Sequence, residues 1–331
     1  MSAAIASTKP KGPFFPADAP KAARPRTASI THVLDRLTPI TSEQIRDLAP
    51  YLDVAKIGWG LPLLLPRERV RARLKIYHAE GVEVSTGGTL LEYAYVQNRV
   101  PAFLDEARSL GFDLIEISSG ILELSSTQIA RLADAVRAQG LPYFIEVGKK
   151  DPQHQLSLKE TIHQIEHARS LRPRKVIVES RESGRGVGIY DSDGAVKWDW
   201  VRSILADHPR EELIFEAPGE AQQVALLREL GADVNLGNVA LGSVAPLASE
   251  RMGLRGRRSV RSAPPGRSGG LRRRSSSISC SKATGDSTNP SSPRCPDSPG
   301  GRSRAPSSPS GARASSRNRS RSTTPGGGNT G

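Results

Sequence analysis

Short apolar runs alternate with longer segments of helical periodicity along most of this chain, and this alternation restricts the fold more than any other feature. Most runs are apolar on both faces, which is typical of parallel strands covered by helices. The intervening segments, such as 125–140 and 157–171, carry apolar residues at helical spacing. The eight runs are SITHVLD (29–35), VAKIGWG (54–60), VEVSTGG (82–88), LIEISSG (114–120), YFIEVGK (143–149), KVIVESR (175–181), LIFEAPG (213–219) and DVNLGNV (233–239). Eight strands that alternate with helices predict an α/β fold of the (β/α)8 TIM-barrel type.

A regular spacing supports this prediction. Lys56, Thr86, Glu116 and Glu146 follow one another at intervals of 30 residues, and one strand–helix unit takes about 30 residues. The alternative is a doubly wound open sheet, in which a glycine-rich nucleotide loop would follow the first strand. The sequence after residues 29–35 contains no such loop. The segment between the seventh and eighth runs is short, so we expect one of those boundaries to be misplaced.

The formal charge of +13 is concentrated at the C-terminal end of the chain. Residues 251–331 contain 17 of the 47 lysines and arginines and two of the 34 acidic residues, which gives this segment a charge of +15. The first 250 residues carry about −2. Composition therefore predicts a mobile N-terminal segment (1–26), a barrel domain (27–256) and a disordered tail (257–331). The tail is rich in Arg, Ser and Pro and has too few large apolar side chains to offset the entropy of ordering.

Several classes of protein are excluded by what the first 250 residues lack. Both cysteines, Cys280 and Cys295, lie in the predicted tail, so the barrel domain has no disulfide framework, cysteine nucleophile or cysteine zinc site. No apolar run approaches the roughly 20 residues that span a bilayer, and the N-terminus has no apolar core typical of a signal peptide. We therefore expect a soluble, cytoplasmic protein that does not enter a membrane.

Charged residues recur where the predicted strands end. Four successive strands each carry one glutamate near the carboxyl end, namely Glu116, Glu146, Glu179 and Glu216. In a barrel these ends meet at one mouth, where active sites are built from the following loops. The mouth is also expected to receive Asp35, Lys56, Lys149, Lys150, Arg181 and Arg185. Carboxylates mixed with cations suit an anionic substrate together with Mg²⁺, although a structural ring of ion pairs would use the same residues.

Glycine-containing turns after other strands offer backbone amides for a phosphate group. In barrels the loops after strands 7 and 8 often bind phosphate, and here they contain Gly219 and the residues Asn235, Gly237 and Asn238. A further turn at Gly87 and Gly88 opens a helix, whose first amides are free to bind an anion. We therefore predict these residues to contact substrate.

Seven motifs in order resemble the phosphosulfolactate synthase family, from about residue 24 to residue 256. They are KIGWG, GGTLLE, GFDLIEIS, EVGKKD, VIVESRESGRGVGIYD, FEAPGEAQQ and VNLGNV. The resemblance implies a (β/α)8 barrel and the magnesium-dependent addition of sulfite to phosphoenolpyruvate. The product would be (2R)-O-phospho-3-sulfolactate, an early compound on the route to coenzyme M. Plant heat-stress-associated proteins resemble the same family, so a non-catalytic or stress-related binding protein on the same barrel is the alternative.

The chemistry that the resemblance implies assigns roles to the charged residues. Sulfite would attack C3 of the enol phosphate, negative charge would build on the substrate carboxylate, and a general acid would protonate C2. Lys149 is the preferred acid because Lys150 lies one residue further into the loop, and Lys150 and then Lys56 are the next candidates. Arg181 and Arg185 would bind phosphate or sulfite. The Mg²⁺ ligands would come from Glu116, Glu146 and Glu179.

The chain departs from the family pattern at three places. Ser119 stands where the family has an aspartate, Leu61 stands where it has a small hydroxyl residue, and the resemblance stops where the basic tail begins. We hypothesise that a frameshift near codon 257 created the tail, so that its removal would leave the melting temperature nearly unchanged. The alternative for the tail is weak, salt-dependent association with nucleic acid. The sequence leaves the number of copies in the assembly open, a homo-oligomer included.

Overall fold

The structure, a computed structural model, describes residues 24–151 and 153–255 of the chain. These residues form eight parallel strands, which are β1 (Thr31–Asp35), β2 (Val54–Ile57), β3 (Glu83–Ser85), β4 (Ile115–Ile117), β5 (Tyr143–Val147), β6 (Lys175–Val178), β7 (Leu213–Glu216) and β8 (Leu236–Ala240). The strand order is β3-β2-β1-β8-β7-β6-β5-β4. A bridge between Ser85 and Leu114 joins the two outer strands. The predicted TIM barrel is therefore confirmed, with its closure made by this single bridge.

Nine α-helices lie between and after these strands in the described ranges. They are α1 (Ser42–Leu48), α2 (Arg67–His78), α3 (Gly88–Val96), α4 (Val100–Leu110), α5 (Ser126–Ala138), α6 (Leu158–Ser170), α7 (Trp198–Asp207), α8 (Glu220–Leu230) and α9 (Val244–Arg251). Helices α5 and α6 both begin with a capping box, formed by Ser125 with Gln128 and by Ser157 with Glu160. Each box satisfies amides that the first turn leaves free, which explains why the two predicted helices begin where they do.

The predicted runs mark the strands but extend too far at their ends. Strands β2 to β7 stop two or three residues before the predicted limits, since the last residues of these runs already turn into the loop, whereas β1 ends at the predicted Asp35 and β8 continues to Ala240. Strand β8 begins at Leu236, not at residue 233. The segment between β7 and β8 is therefore longer than predicted, and it holds helix α8 and the turn that follows it.

The barrel encloses an apolar floor of six side chains, each from one of six strands or from the residue just before it. They are Ile30, Val54, Leu114, Phe144, Ile177 and Ile214, and all are buried. A larger apolar cluster fills the space between the strands and the surrounding helices. Side chains alternate between the two faces of a strand, so the residue two positions after each floor residue also points into the barrel.

The termini of the barrel domain can be followed only in part. Arg24 and Arg26 lie within the predicted N-terminal segment, yet both hold the barrel: the Arg24 guanidinium donates to the Leu52 carbonyl at 2.8 Å, and Arg26 pairs with Asp53 at 2.6 Å. Residues 1–23 and the predicted tail (257–331) lie outside the described residues. Within the described ranges, every helix is too short or too polar to cross a bilayer.

Candidate active site

A polar layer lies directly above the apolar floor. The residue two positions after each floor residue is polar and buried. These six residues are His32, Lys56, Glu116, Glu146, Glu179 and Glu216. The ionisable residues therefore follow from the same two-residue alternation that builds the floor. Above them opens a cavity of about 420 Å³, which we call the mouth, and its lining includes Lys56, Glu146, Glu179 and Glu216.

Lys56 is the centre of this layer. Its Nζ lies 3.0 Å from Glu116 Oε2, 3.0 Å from Glu146 Oε1 and 3.2 Å from Glu216 Oε1. Burial lowers the pKa of Lys56, but the three carboxylates outweigh burial and hold that pKa well above the ordinary lysine value. The ammonium is therefore charged at neutral pH and joins strand β2 to strands β4, β5 and β7 across the barrel.

Glu116 is held from several sides. Its Oε1 accepts from the Ser85 hydroxyl and lies 2.9 Å from His32 Nε2, while Lys56 lies on its other oxygen. Burial raises the pKa of Glu116, but Lys56 and His32 bring that pKa well below its usual range. Spacing along the chain indicates no partner for His32. Its place in the barrel interior, two residues after Ile30, would have revealed the contact.

Glu146, Glu179 and Glu216 form a group of carboxylates at the base of the mouth. One oxygen from each lies within 4.8 Å of the others. Burial and the neighbouring carboxylates raise the pKa of Glu179 well above the usual range, and burial raises the pKa of Glu146 as well. Negative charge is therefore in excess here, even with Lys56 nearby.

This group fits a hard divalent cation such as Mg²⁺. The donors are carboxylate oxygens, which Mg²⁺ prefers, and four buried glutamates face only two lysine ammoniums, those of Lys56 and Lys150. With all four carboxylates ionised, as a bound cation would favour, the excess of two negative charges matches the charge of one such ion. Glu116 was predicted as a ligand, but the group contains Glu216 in its place. The Glu116 carboxylate instead contacts His32 and Ser85.

The two adjacent lysines after β5 point in different directions. Lys150 lines the mouth, where its Nζ lies 3.1 Å from Thr89 Oγ1, 3.5 Å from Glu146 Oε2 and 3.7 Å from Glu179 Oε2. Burial lowers the pKa of Lys150, but these carboxylates raise it above the ordinary value. Lys149 instead donates to the carbonyls of Ser119 and Leu122 at 3.0 and 3.2 Å. It thereby stabilises the loop after β4 and is not among the residues that line the mouth.

Four of the predicted substrate-binding residues line the mouth: Gly87, Gly88, Arg181 and Asn238. Arg181 and Asn238 have left-handed backbone conformations, with φ of 61° and 52°. Such conformations are costly for residues other than glycine and are often found at functional sites. Trp59, with φ of 56°, is a third lining residue of this kind, and the sequence analysis did not select it.

The other predicted substrate-binding residues lie elsewhere. Asp35 faces the helices, where its carboxylate accepts from Arg73 at 2.6 Å and from Tyr77 at 2.8 Å. Asn235 accepts from the Ile30 amide and donates to the Leu213 carbonyl, so it holds strands together at the start of β8. Both side chains are fully used by the fold.

Three further residues were predicted to contact substrate. The Gly219 amide donates to Gln222 Oε1 at 2.9 Å at the start of α8. Arg185 is exposed. Neither residue lines the mouth. Gly237 faces the barrel interior, where a Cβ would lie 3.3 Å from His32 Nδ1. The glycine therefore leaves space for the histidine.

Glu92, within the GGTLLE motif, supports the rim of the mouth. It is buried, and its Oε2 accepts from the amides of Ile121 and Leu122 at 2.9 and 2.7 Å, while Oε1 accepts from the Ser118 hydroxyl. The loop after β4, which contains Ser119, is therefore held by a carboxylate on α3 and by the Lys149 ammonium. The sequence analysis did not identify Glu92.

Comparison with known proteins shows which family this chain resembles. Residues 19–257 match the model of the (2R)-phospho-3-sulfolactate synthase (ComA) family. The phosphosulfolactate synthase of Methanothermobacter thermautotrophicus is 35% identical over 241 residues, which cover 72% of this chain and 93% of that protein.

Two other relatives extend the comparison. The phosphosulfolactate synthase of Methanocaldococcus jannaschii is 35% identical over 231 residues, or 69% of this chain and 92% of that protein. Protein HEAT-STRESS-ASSOCIATED 32 of Arabidopsis thaliana is 21% identical over 216 residues, or 60% of this chain and 75% of that protein. With a family match over most of the described barrel and relatives of this identity, the chain belongs to the phosphosulfolactate synthase family.

Proposed function

We propose that this chain catalyses the addition of sulfite to phosphoenolpyruvate, assisted by Mg²⁺, to give (2R)-O-phospho-3-sulfolactate. The observation that carries the proposal is the mouth itself. Two lysine ammoniums lie among four buried glutamates there, in a chain that belongs to a family named for this synthase. A site of this kind can hold a small anion, a hard cation and a proton donor within a few ångströms of one another.

The balance of the reaction defines what the site must provide. The sulfur lone pair forms a bond to C3 of phosphoenolpyruvate, and the π electrons of the C2–C3 bond move to C2 and into the carboxylate. A proton then adds to C2, which restores the carboxylate and leaves the phosphate ester intact. The protein must therefore bind two anions, stabilise charge on the carboxylate and deliver one proton.

Lys150 is the proposed proton donor. Its ammonium lines the mouth and is protonated at rest, because Glu146 and Glu179 raise its pKa. Lys149 was the preferred donor by sequence order, but its ammonium is occupied by two backbone carbonyls. Lys56 lies deeper, where three carboxylates surround it, so we assign it to holding those carboxylates in place.

Glu146, Glu179 and Glu216 are the proposed ligands of Mg²⁺, which when bound supplies positive charge for the developing enediolate. Next to them, Gly87 and Gly88 lie at the start of helix α3, where free backbone amides can bind an anion. Arg181 adds a guanidinium at the rim. These groups orient the substrate.

A direct assay tests the proposal. The protein is incubated with phosphoenolpyruvate and sulfite, with Mg²⁺ or with EDTA, and the loss of phosphoenolpyruvate is followed by phosphorus NMR. We expect a phosphosulfolactate signal only with Mg²⁺ and its loss on chelation. Full turnover in EDTA would contradict the metal role and favour the structural ion-pair interpretation of the glutamates. An absence of turnover under all conditions would favour the alternative of a binding protein.

A further inference from the structure

Negative charge is unevenly distributed around the mouth. Its lining carboxylates are Glu146 on β5, Glu216 on β7, and Glu179 and Glu182, which follow β6. On the opposite side, strands β8, β1 and β2 contribute no carboxylate to the lining among the described residues. Asp35 ends β1, but its carboxylate turns away to Arg73 and Tyr77. Strands β3 and β4 contribute none either, so an anionic group that enters the mouth meets less repulsion on the side away from β5, β6 and β7.

Arg36 follows β1 at this side of the barrel. Its guanidinium carbon lies 5.1 Å from the centre of the Trp59 ring, and Trp59 lines the mouth. In the described residues no hydrogen bond or ion pair involves the Arg36 side chain. The cations that line the mouth are engaged, since Lys56 and Lys150 contact glutamates and Arg181 lies 3.7 Å from Glu182. Arg36 itself is exposed at the rim, next to the lining residue Trp59 and outside the lining, and its five donors are available to a ligand that reaches the rim.

Asn238 supplies a second free polar group, in the lining of the mouth. Asn238 is 5% exposed and lines the mouth. Its Oδ1 is buried and has no hydrogen-bond partner. A buried polar group without a partner costs free energy, and its left-handed backbone, with φ of 52°, adds to that cost. A phosphate offers acceptors, so the group that would bind it is the NH₂ of this amide, which makes no hydrogen bond in the described residues.

Strand order brings the two residues to the same side. Strand β1 lies between β8 and β2 in the sheet, so Arg36 follows the strand that separates Asn238 from Trp59. We infer that Arg36 and Asn238 form an anion subsite that takes the phosphate group of the substrate, with the Trp59 ring supporting the guanidinium. This inference rests on the proposed function. It orients the substrate with its phosphate towards β8 and β1 and its carboxylate towards Glu146, Glu179 and Glu216.

Binding without turnover isolates this subsite. Phosphoenolpyruvate is titrated into the protein with Mg²⁺ and without sulfite, and the dissociation constant is measured by calorimetry for the parent, Arg36→Gln and Asn238→Gly. Glycine at position 238 keeps the left-handed backbone and removes only the amide. The matched control is Arg172→Gln, which removes the same charge from an exposed arginine in the turn between α6 and β6, at the opposite end of the barrel. Pyruvate, which lacks the phosphate, is the control ligand.

We expect Arg36→Gln to weaken phosphoenolpyruvate binding at least ~10-fold, the scale of a lost charge-assisted hydrogen bond. Asn238→Gly should weaken it by about 3- to 10-fold, Arg172→Gln should leave it unchanged, and pyruvate should bind all four proteins alike. The KM of the synthase assay should rise in the same order, with kcat little changed. Unchanged binding by Arg36→Gln in a parent that turns over would overturn this inference and leave the proposed function intact. Equal weakening of pyruvate would overturn the assignment to phosphate. A parent that neither binds nor turns over phosphoenolpyruvate would overturn both.

Discussion

Lys149 and Lys150 illustrate how one residue of register decides a chemical role. Alternation along β5 places Glu146, Gly148 and Lys150 on one face, and Lys150 does line the mouth. Sequence order favoured Lys149, because the count was made from the strand end and not from Glu146. The neighbouring lysines thus differ in surroundings: one faces carboxylates and the other faces backbone carbonyls.

This difference predicts unequal effects of the same substitution. Lys150→Ala should lower kcat of the synthase reaction by ~10² or more, the usual scale for a general acid, and leave the fold intact. Lys149→Ala, the matched control, should lower kcat less, since it removes only loop contacts. Steady-state kinetics with circular dichroism as the folding check would measure both. A folded Lys149→Ala protein that is the more impaired of the two would return the acid role to Lys149.

Lys56 should matter first for stability. Lys56→Met leaves Glu116, Glu146 and Glu216 without their shared cation, and removing one partner of a buried ion pair costs about 3–5 kcal/mol. Adding Glu116→Gln to Lys56→Met should recover part of this loss, because one uncompensated charge disappears. The free energy of unfolding from urea titrations gives the coupling. If the loss of unfolding free energy in the double variant equals the sum of the losses in the two single variants, Lys56 and Glu116 do not stabilise each other.

The same alternation shows which residues could have been placed from the sequence. Counting from His32 and Leu34, which face inward, puts Asp35 on the outer face, where Arg73 and Tyr77 hold it. The positions of Glu116 and Glu146 on predicted strands indicated that they face the barrel interior, and both carboxylates do contact Lys56. Asn238, Trp59 and Arg181 follow no alternation, because each has a left-handed backbone. The sequence has no periodic signal for such positions.

At the scale of elements, the strands could be predicted and their limits could not. Apolar runs mark burial, whereas a strand ends where its hydrogen bonds to a neighbour stop. Strands β3 and β4 are only three residues long and are joined by one bridge, although their runs span seven residues each. The loops that follow these two strands form part of the mouth, so their early ends make room for the site.

The junction between β3 and α3 predicts a sensitive glycine. A Cβ on Gly88 would overlap the Ser118 side chain, with Ser118 Cβ at 2.5 Å, and would lie 3.0 Å from Glu146 Oε2. Gly88→Ala should therefore destabilise the protein by about 1–3 kcal/mol and lower kcat/KM, because it moves the start of α3 away from the mouth. Gly242→Ala is the control, since a Cβ there meets nothing within 4 Å. Thermal unfolding and kinetics would test the pair, and equal behaviour of the two variants would contradict the packing argument.

At the scale of the whole molecule, the fold was predictable because one pattern repeats eight times. The barrel also carries its site in layers, with an apolar floor and a ring of charges two residues above it. The predicted tail lies outside the described residues, so its frameshift origin and its association with nucleic acid stay predictions. The assembly of several copies and the cytoplasmic location likewise stay predictions.

The most direct test of the central claim follows the carbon atoms of the substrate. Phosphoenolpyruvate labelled with ¹³C at C3 is mixed with sulfite, Mg²⁺ and the protein in D₂O, and carbon NMR is recorded over time. Because the Lys150 ammonium exchanges with solvent, we expect a saturated C3 bonded to sulfur and one deuterium at C2, in a single configuration. A spectrum that retains the labelled enol phosphate, or that shows only pyruvate and free phosphate, would contradict the claim that this mouth joins sulfite to phosphoenolpyruvate.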